Sequence, residues 1–159
     1  MTPSCLIIGA GMSGLTAAGA LQRQGWAVIL LDKGRGAGGR MATRRIGGSR
    51  FDHGAQFFTV RDDRFREAVA RWESDRVVAP WFTESGHVRY LGMDGMNGLA
   101  KYLVEPFEVR TETQIRSVDF RRDGWCAVTD AGDAFHADAL VLTAPAPQSA
   151  AMLQGCADR

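Results

Sequence analysis

Three glycines near the start of the chain stand at the spacing G-x-G-x-x-G, as Gly9-Ala10-Gly11-Met12-Ser13-Gly14, and an acid, Asp32, follows a short distance on. The chemistry of such a spacing is done by the backbone. A first glycine permits a tight turn out of a strand, a second lets the main chain approach a pyrophosphate, and a third lets a helix lie close to a sheet. The free amides and the positive dipole end of that helix then meet phosphate charge. A carboxylate at the end of the next strand accepts hydrogen bonds from ribose hydroxyls. The glycine spacing alone is weak evidence, and its setting gives it weight. Asp32 suits NAD or FAD because it would repel a 2′-phosphate. Lys33 and Arg35 beside it offset that repulsion and leave NADP open on charge alone.

The elements that must position these groups are legible around them. Cys5 to Ile8 is an apolar run ending in Gly9, the pattern of a buried parallel strand. Ser13 to Gln24 reads as a helix with Leu15, Ala18 and Leu21 on one face, stopped by Gly25. Ala27 to Leu31 is a second buried strand, which Asp32 ends. Strand, helix and strand in this order make a βαβ unit.

Farther along, the glycines from Gly34 to Gly39 predict a loop, and Phe51 to Val60 a turn followed by a short strand. Asp62 to Trp72 predicts an amphipathic helix carrying Phe65, Val69 and Trp72, with Asp62 as its cap. Val77 to Phe82 and His87 to Leu91 read as facing strands, and Gly98 to Leu103 as a short helix. Strand-like pieces follow at Phe107 to Thr111, Ile115 to Phe120, Trp125 to Thr129 and Ala139 to Thr143, with turn signals at Asp123-Gly124 and Gly132-Asp133. The middle two form a meander, and the last returns to the parallel sheet before Pro145 and Pro147 end it. Gln148 to Arg159 is at most a helical start.

Composition removes several classes of function. A net charge of +1 over 159 residues offers no general attraction to nucleic acid or to an anionic membrane. Cys5, Cys126 and Cys156 lie too far apart for a cysteine zinc site or a disulfide scaffold, which suits a reducing compartment, and the cytoplasm is the expected location. His53, His87 and His136 are scattered and make no metal site. No Ser-His-Asp set or carboxylate pair is evident, so catalytic residues stay unassigned. His53 is expected to be a hydrogen-bonded structural residue.

The segment Asp32-Lys33-Gly34-Arg35-Gly36-Ala37-Gly38-Gly39-Arg40-Met41 resembles the acid–x(5)–G-G-R stretch of the flavin amine oxidase superfamily. With Asp52-His53-Gly54-Ala55-Gln56-Phe57-Phe58-Thr59 and Thr143-Ala144-Pro145-Ala146-Pro147-Gln148, the chain looks like the renalase-type flavoproteins. The resemblance implies an α/β, Rossmann-like FAD/NAD(P)-binding fold with a central parallel sheet and a β-meander, truncated relative to the family. It implies FAD held without a covalent link. It further implies oxidation of a small-molecule substrate, a reduced nicotinamide or an amine, with O2 as acceptor and H2O2 as product.

The resemblance also carries over a set of cofactor residues. Gly9, Gly11, Met12, Ser13 and Gly14 would form the pyrophosphate turn, with Asp32, Lys33 and Arg35 beyond it. Gly38 and Gly39 would bring backbone to the phosphates, Arg40 would fork onto them, and Met41 follows. Gly54, Ala55, Gln56 and Phe57 would lie near the flavin, Ile115 would offer its backbone to adenine, and Thr143, Ala144 and Pro145 would line the phosphate side.

Residues 1–148 are expected to be the FAD-binding domain, with 62–96 inserted from the substrate side and 149–159 a tail where the family's chain continues. Family chains are longer, so the flavin side is expected to be open. Apolar surface at Trp72, Trp81 and Phe82 would then invite self-association or a completing chain. Two other readings stand beside the oxidoreductase: an FAD-binding module without turnover of its own, and an NAD(P)-binding reductase subdomain.

Overall fold

The computed structural model describes residues 1–156. Its elements begin with β1 (Ser4–Ile8), α1 (Met12–Arg23), β2 (Ala27–Leu31) and a 3-10 turn at Gly39–Met41. There follow β3 (Thr43–Ile46), β4 (Ser49–Asp52), β5 (Phe58–Thr59), α2 (Asp63–Ser74), β6 (Val78–Glu84), β7 (His87–Gly92) and α3 (Met96–Val104). The chain continues through β8 (Glu108–Arg110), β9 (Ile115–Arg121), β10 (Gly124–Thr129), β11 (Ala134–Ala137), β12 (Ala139–Leu142) and α4 (Ala146–Leu153). Two compact units emerge, one of Met1–Gly39 with the segment from Val104 onward, the other of Arg40–Leu103. The second encloses the expected 62–96 insertion and is wider at both ends.

In the first unit a parallel sheet runs in the order β12-β1-β2-β8. β1 is its center: Ile7 pairs with Leu30 on one side and Val141 on the other, and is fully buried. Leu6, Ile8 and Leu31 share a core with Ile115, Val118, Ala127 and Ala137 of the β9-β10-β11 meander and with Met152 of α4. Strand alternation sends Cys5, Ile7 and Leu30 to the opposite face. Burial there pushes the Cys5 thiol above its ordinary range, which keeps it protonated and inert.

Three elements depart from the expectation. The meander has a third strand, β11, which pairs Cys126 with His136. The strand expected over Phe107–Thr111 is present as β8, but its place in the parallel sheet beside β2 was not foreseen. The 149–159 tail, expected to be at most a helical start, continues α4 to Leu153, with Met152 buried and the Cys156 thiol donating to the Val118 carbonyl at 2.9 Å. Residues 157–159 of that tail lie outside the described residues.

The second unit holds the β3–β4 hairpin, the sheet β5-β7-β6, α2 and most of α3. The hairpin was not expected. Its strands, TRRI and SRFD, are mostly exposed and lack apolar alternation, and the two-residue turn at Gly47-Gly48 makes it, with Gly47 at φ 59°. α2 starts where expected, because an Asp62 carboxylate oxygen accepts from the Arg64 and Phe65 amides at 3.0 and 3.2 Å. Trp72 is buried on this helix, against the expectation of an uncovered ring, whereas Trp81 and Phe82 are exposed. No helix among the described residues is long and apolar enough to cross a membrane.

Candidate dinucleotide-binding site

The three glycines of the first turn differ in what the protein itself requires of them. Gly9 has φ 109°, and a Cβ there would lie 2.5 Å from the Thr143 hydroxyl oxygen. At Gly14 a Cβ would lie 1.9 Å from the Gly9 carbonyl oxygen. Gly9 is therefore dictated by its backbone angle and by the chain that follows β12, and Gly14 by the close packing of α1 on the end of β1. Gly11 is not. Its φ is −81° and its ψ −178°, open to any residue, and a Cβ there would meet no atom within 4 Å. Gly11 is also the N-cap of α1, with no side-chain capping bond and no acid in the first turn. The helix thus opens with bare amides onto space, as an anion site requires. These features fit a diphosphate.

A second glycine loop is laid on the first. The Gly38 amide donates to the Ala10 carbonyl at 2.9 Å, and a Cβ on Gly39, at φ 52°, would sit 3.6 Å from the Gly11 Cα. Asp32 joins the loops from below. Its Oδ2 accepts from the Ala10 amide at 2.6 Å and its Oδ1 from the Gly34 amide at 2.7 Å. The carboxylate therefore has a structural task that the spacing of residues did not disclose, and each oxygen keeps a lone pair for a ligand hydroxyl. Lys33 is exposed and donates to the Gln148 side chain at 3.1 Å, and Arg35 is exposed.

The structure brings Gly9, Gly11, Gly14, Asp32, Gly39 and Thr143 together in the first unit. Ser13 is exposed in the first turn of α1, and Met12 is half-buried. Thr143 and Ala144 follow β12 beside Gly9, and Pro145 is the N-cap of α4. Ile115 starts β9 with its side chain buried in the core.

The remaining expected residues belong to the second unit, where the G-G-R and D-H-G-A-Q motifs meet. The Ala55 amide donates to the Arg40 carbonyl at 2.8 Å, and a Cβ on Gly54 would lie 2.1 Å from that same oxygen. Arg40 is exposed, Met41 is buried, and Gln56 and Phe57 are exposed. The Arg89 guanidinium lies over the Phe57 ring at 4.9 Å, and Phe57, Phe82 and Trp81 form an exposed aromatic run. His53 is exposed and its amide donates to Ala42. Its ring makes no hydrogen bond among the described residues, contrary to the structural role expected of it.

Two residues escaped sequence reasoning. Asp52 Oδ1 accepts from the Met96 amide at 3.0 Å and from the Thr43 hydroxyl, while the Thr43 oxygen accepts from the Asn97 amide at 3.1 Å. Together they cap α3. Thr143 was expected only to line the site, yet its hydroxyl donates inward to the carbonyls of Ile8 and Gly9 at 3.0 and 3.1 Å.

Comparison with known proteins bears on the fold and the family likeness. Residues 7–72 match the family model of an NAD(P)-binding Rossmann-like domain, and residues 81–154 that of a flavin containing amine oxidoreductase. The chain is 27% identical to renalase of Mus musculus, over 90% of this chain and 47% of renalase. It is 33% identical to an L-amino acid dehydrogenase of Synechocystis sp., over 50% of this chain and 18% of that protein. Among solved structures, a CLA-producing fatty acid isomerase from P. acnes aligns at a TM-score of 0.75 and 12% identity, over 94% of this chain and 60% of that one. That likeness concerns the fold alone. The chain spans about half the length of the renalase it matches.

Proposed function

We propose, from its likeness to the flavin containing amine oxidoreductases and to renalase, that the chain binds FAD non-covalently as part of an oxidoreductase acting on a reduced nicotinamide or a simple amine. The observation that carries the proposal is Gly11, the one glycine of the turn whose missing side chain nothing among the described residues explains. A diphosphate seated there explains it.

In this reading the first-turn amides of α1 and the Gly38-Gly39 backbone would hold the pyrophosphate, while Arg40 and Gly54 to Phe57 are assigned to the cofactor by the family resemblance alone. Asp32 would take the ribose hydroxyls, Ile115 would offer backbone to adenine, and Thr143 to Pro145 would line the phosphate side. FAD, when bound, would supply a two-electron acceptor for a hydride from the substrate, with O2 as the final acceptor and H2O2 as its two-electron, two-proton product. The residues of this chain supply binding, orientation and exclusion of water rather than an acid–base pair. Three free cysteines are consistent with work in a reducing compartment, for which we propose the cytoplasm.

A second reading, an FAD-binding module that another chain completes, is favored by the exposed run of Phe57, Phe82 and Trp81. One experiment separates the two. Purified protein is loaded with FAD, freed of excess, and denatured to show that the flavin is released intact. It is then mixed without air with a dihydronicotinamide or a simple amine. Bleaching of the flavin absorbance, with recovery and peroxide formation on admitting air, supports the oxidoreductase. Retained FAD without bleaching supports the module. Failure to take up FAD refutes both.

A further inference from the structure

The peptide group between Gly9 and Ala10 is held by side chains from both strands that flank β1. On the β12 side, the Thr143 hydroxyl donates to the Gly9 carbonyl at 3.1 Å and shares its proton with the Ile8 carbonyl at 3.0 Å. On the β2 side, Asp32 Oδ2 accepts from the Ala10 amide at 2.6 Å. A peptide plane is rigid, and its remaining freedom is rotation about the line joining its two Cα atoms. Anchoring its C=O and its N–H to different strands removes that rotation. The plane so fixed leads directly into Gly11 and the open amides of α1.

A threonine hydroxyl has a single proton. In Thr143 that proton points inward, onto two backbone carbonyls, and is not available to a ligand phosphate. We infer that Thr143 is a positioning residue: working against Asp32, it presets the Gly9–Ala10 peptide, and so strengthens diphosphate binding without donating to the diphosphate. This inference rests on the dinucleotide reading of the site.

The test compares wild type, Thr143→Val, which keeps the shape and removes the hydroxyl, and Thr143→Ser, which keeps the hydroxyl. Amide exchange at Ala10 is followed by NMR in the ligand-free protein, and ADP and adenosine are titrated by calorimetry. In Thr143→Val, Ala10 exchange accelerates and ADP affinity falls about tenfold, the worth of one lost hydrogen bond. Adenosine affinity stays within about twofold, since it carries no diphosphate to be misaligned. Thr143→Ser restores both quantities.

Unchanged ADP affinity in Thr143→Val overturns the inference whether or not exchange changes. So does an equal loss of ADP and adenosine that serine does not restore, the mark of a packing role alone. If wild type binds no ADP while Ala10 exchange still accelerates in Thr143→Val and is restored in Thr143→Ser, the clamp is upheld and the dinucleotide reading is what falls.

Discussion

A methyl group placed on Gly14 would stand 1.9 Å from the carbonyl oxygen of Gly9, well inside van der Waals contact. The helix and the end of the strand are therefore as close as a backbone permits, and the site inherits its shape from that contact. Gly14→Ala must push α1 off β1. Overpacking of this kind costs about 1–3 kcal/mol, and urea denaturation should show a midpoint lowered to match. A variant as stable as wild type would mean that the contact yields freely.

In the second unit the corresponding contact joins Gly54 to Arg40. Gly54→Ala would place a carbon 2.1 Å from the Arg40 carbonyl and open the Ala55 amide bond to it. The expected cost is again about 1–3 kcal/mol, read from the same denaturation experiment.

Asp52 gives a sharper contrast. Its acceptor oxygen serves the Met96 amide and the Thr43 hydroxyl. Asparagine keeps such an oxygen and alanine does not. Asp52→Ala should cost about 0.5–2 kcal/mol, the usual range for a lost helix cap, and Asp52→Asn only a few tenths, roughly 0.3 kcal/mol. Equal losses in the two would show that the charge, not the cap, is what matters.

Asp138 sets a pH dependence. The Ser4 hydroxyl, then the Ser4 amide, hold its carboxylate below the ordinary range, tying the start of β1 to the turn before β12. A carboxyl depressed in the folded state stabilizes fully above its unfolded value, and that contribution is lost as pH falls through the lower, folded value. Ser4→Ala removes the larger cause. Carboxyl NMR titration should find Asp138 moved up toward the ordinary range in Ser4→Ala, with a shallower loss of stability in acid. An unmoved titration would assign the depression to another cause.

Much of the first unit was legible because its strands are short, apolar and bounded by glycine or acid. Ala27–Leu31 lies where its five apolar residues predict, and in the second unit Asp62 caps α2 as its place before Phe65 implied. The β3–β4 hairpin was not legible, because its residues bury little and carry arginines where alternation would show apolar side chains. β11 was hidden for a similar reason: it is four residues long, and its exposed residues, Ala134 and His136, alternate with Phe135 and Ala137 too briefly to register.

At the site, glycine spacing disclosed the turn but not which glycine the packing of the described residues leaves open. That distinction depends on atoms far along the chain, such as the Thr143 hydroxyl against Gly9. The capping work of Asp52 was hidden likewise, since its partners Met96 and Asn97 come near only through the fold.

Gly11 stands at the center of the proposed pyrophosphate site, and one substitution tests its role. Gly11→Ala meets no protein atom within 4 Å and needs no unusual backbone angle. Its stability should stay within about 1 kcal/mol of wild type, the range open to an N-cap exchange. FAD affinity, measured by titration of flavin fluorescence, should nevertheless fall by at least about tenfold, because the methyl group enters the space assigned to the pyrophosphate. If Gly11→Ala binds FAD as tightly as wild type, that space is not the pyrophosphate site and the account is wrong.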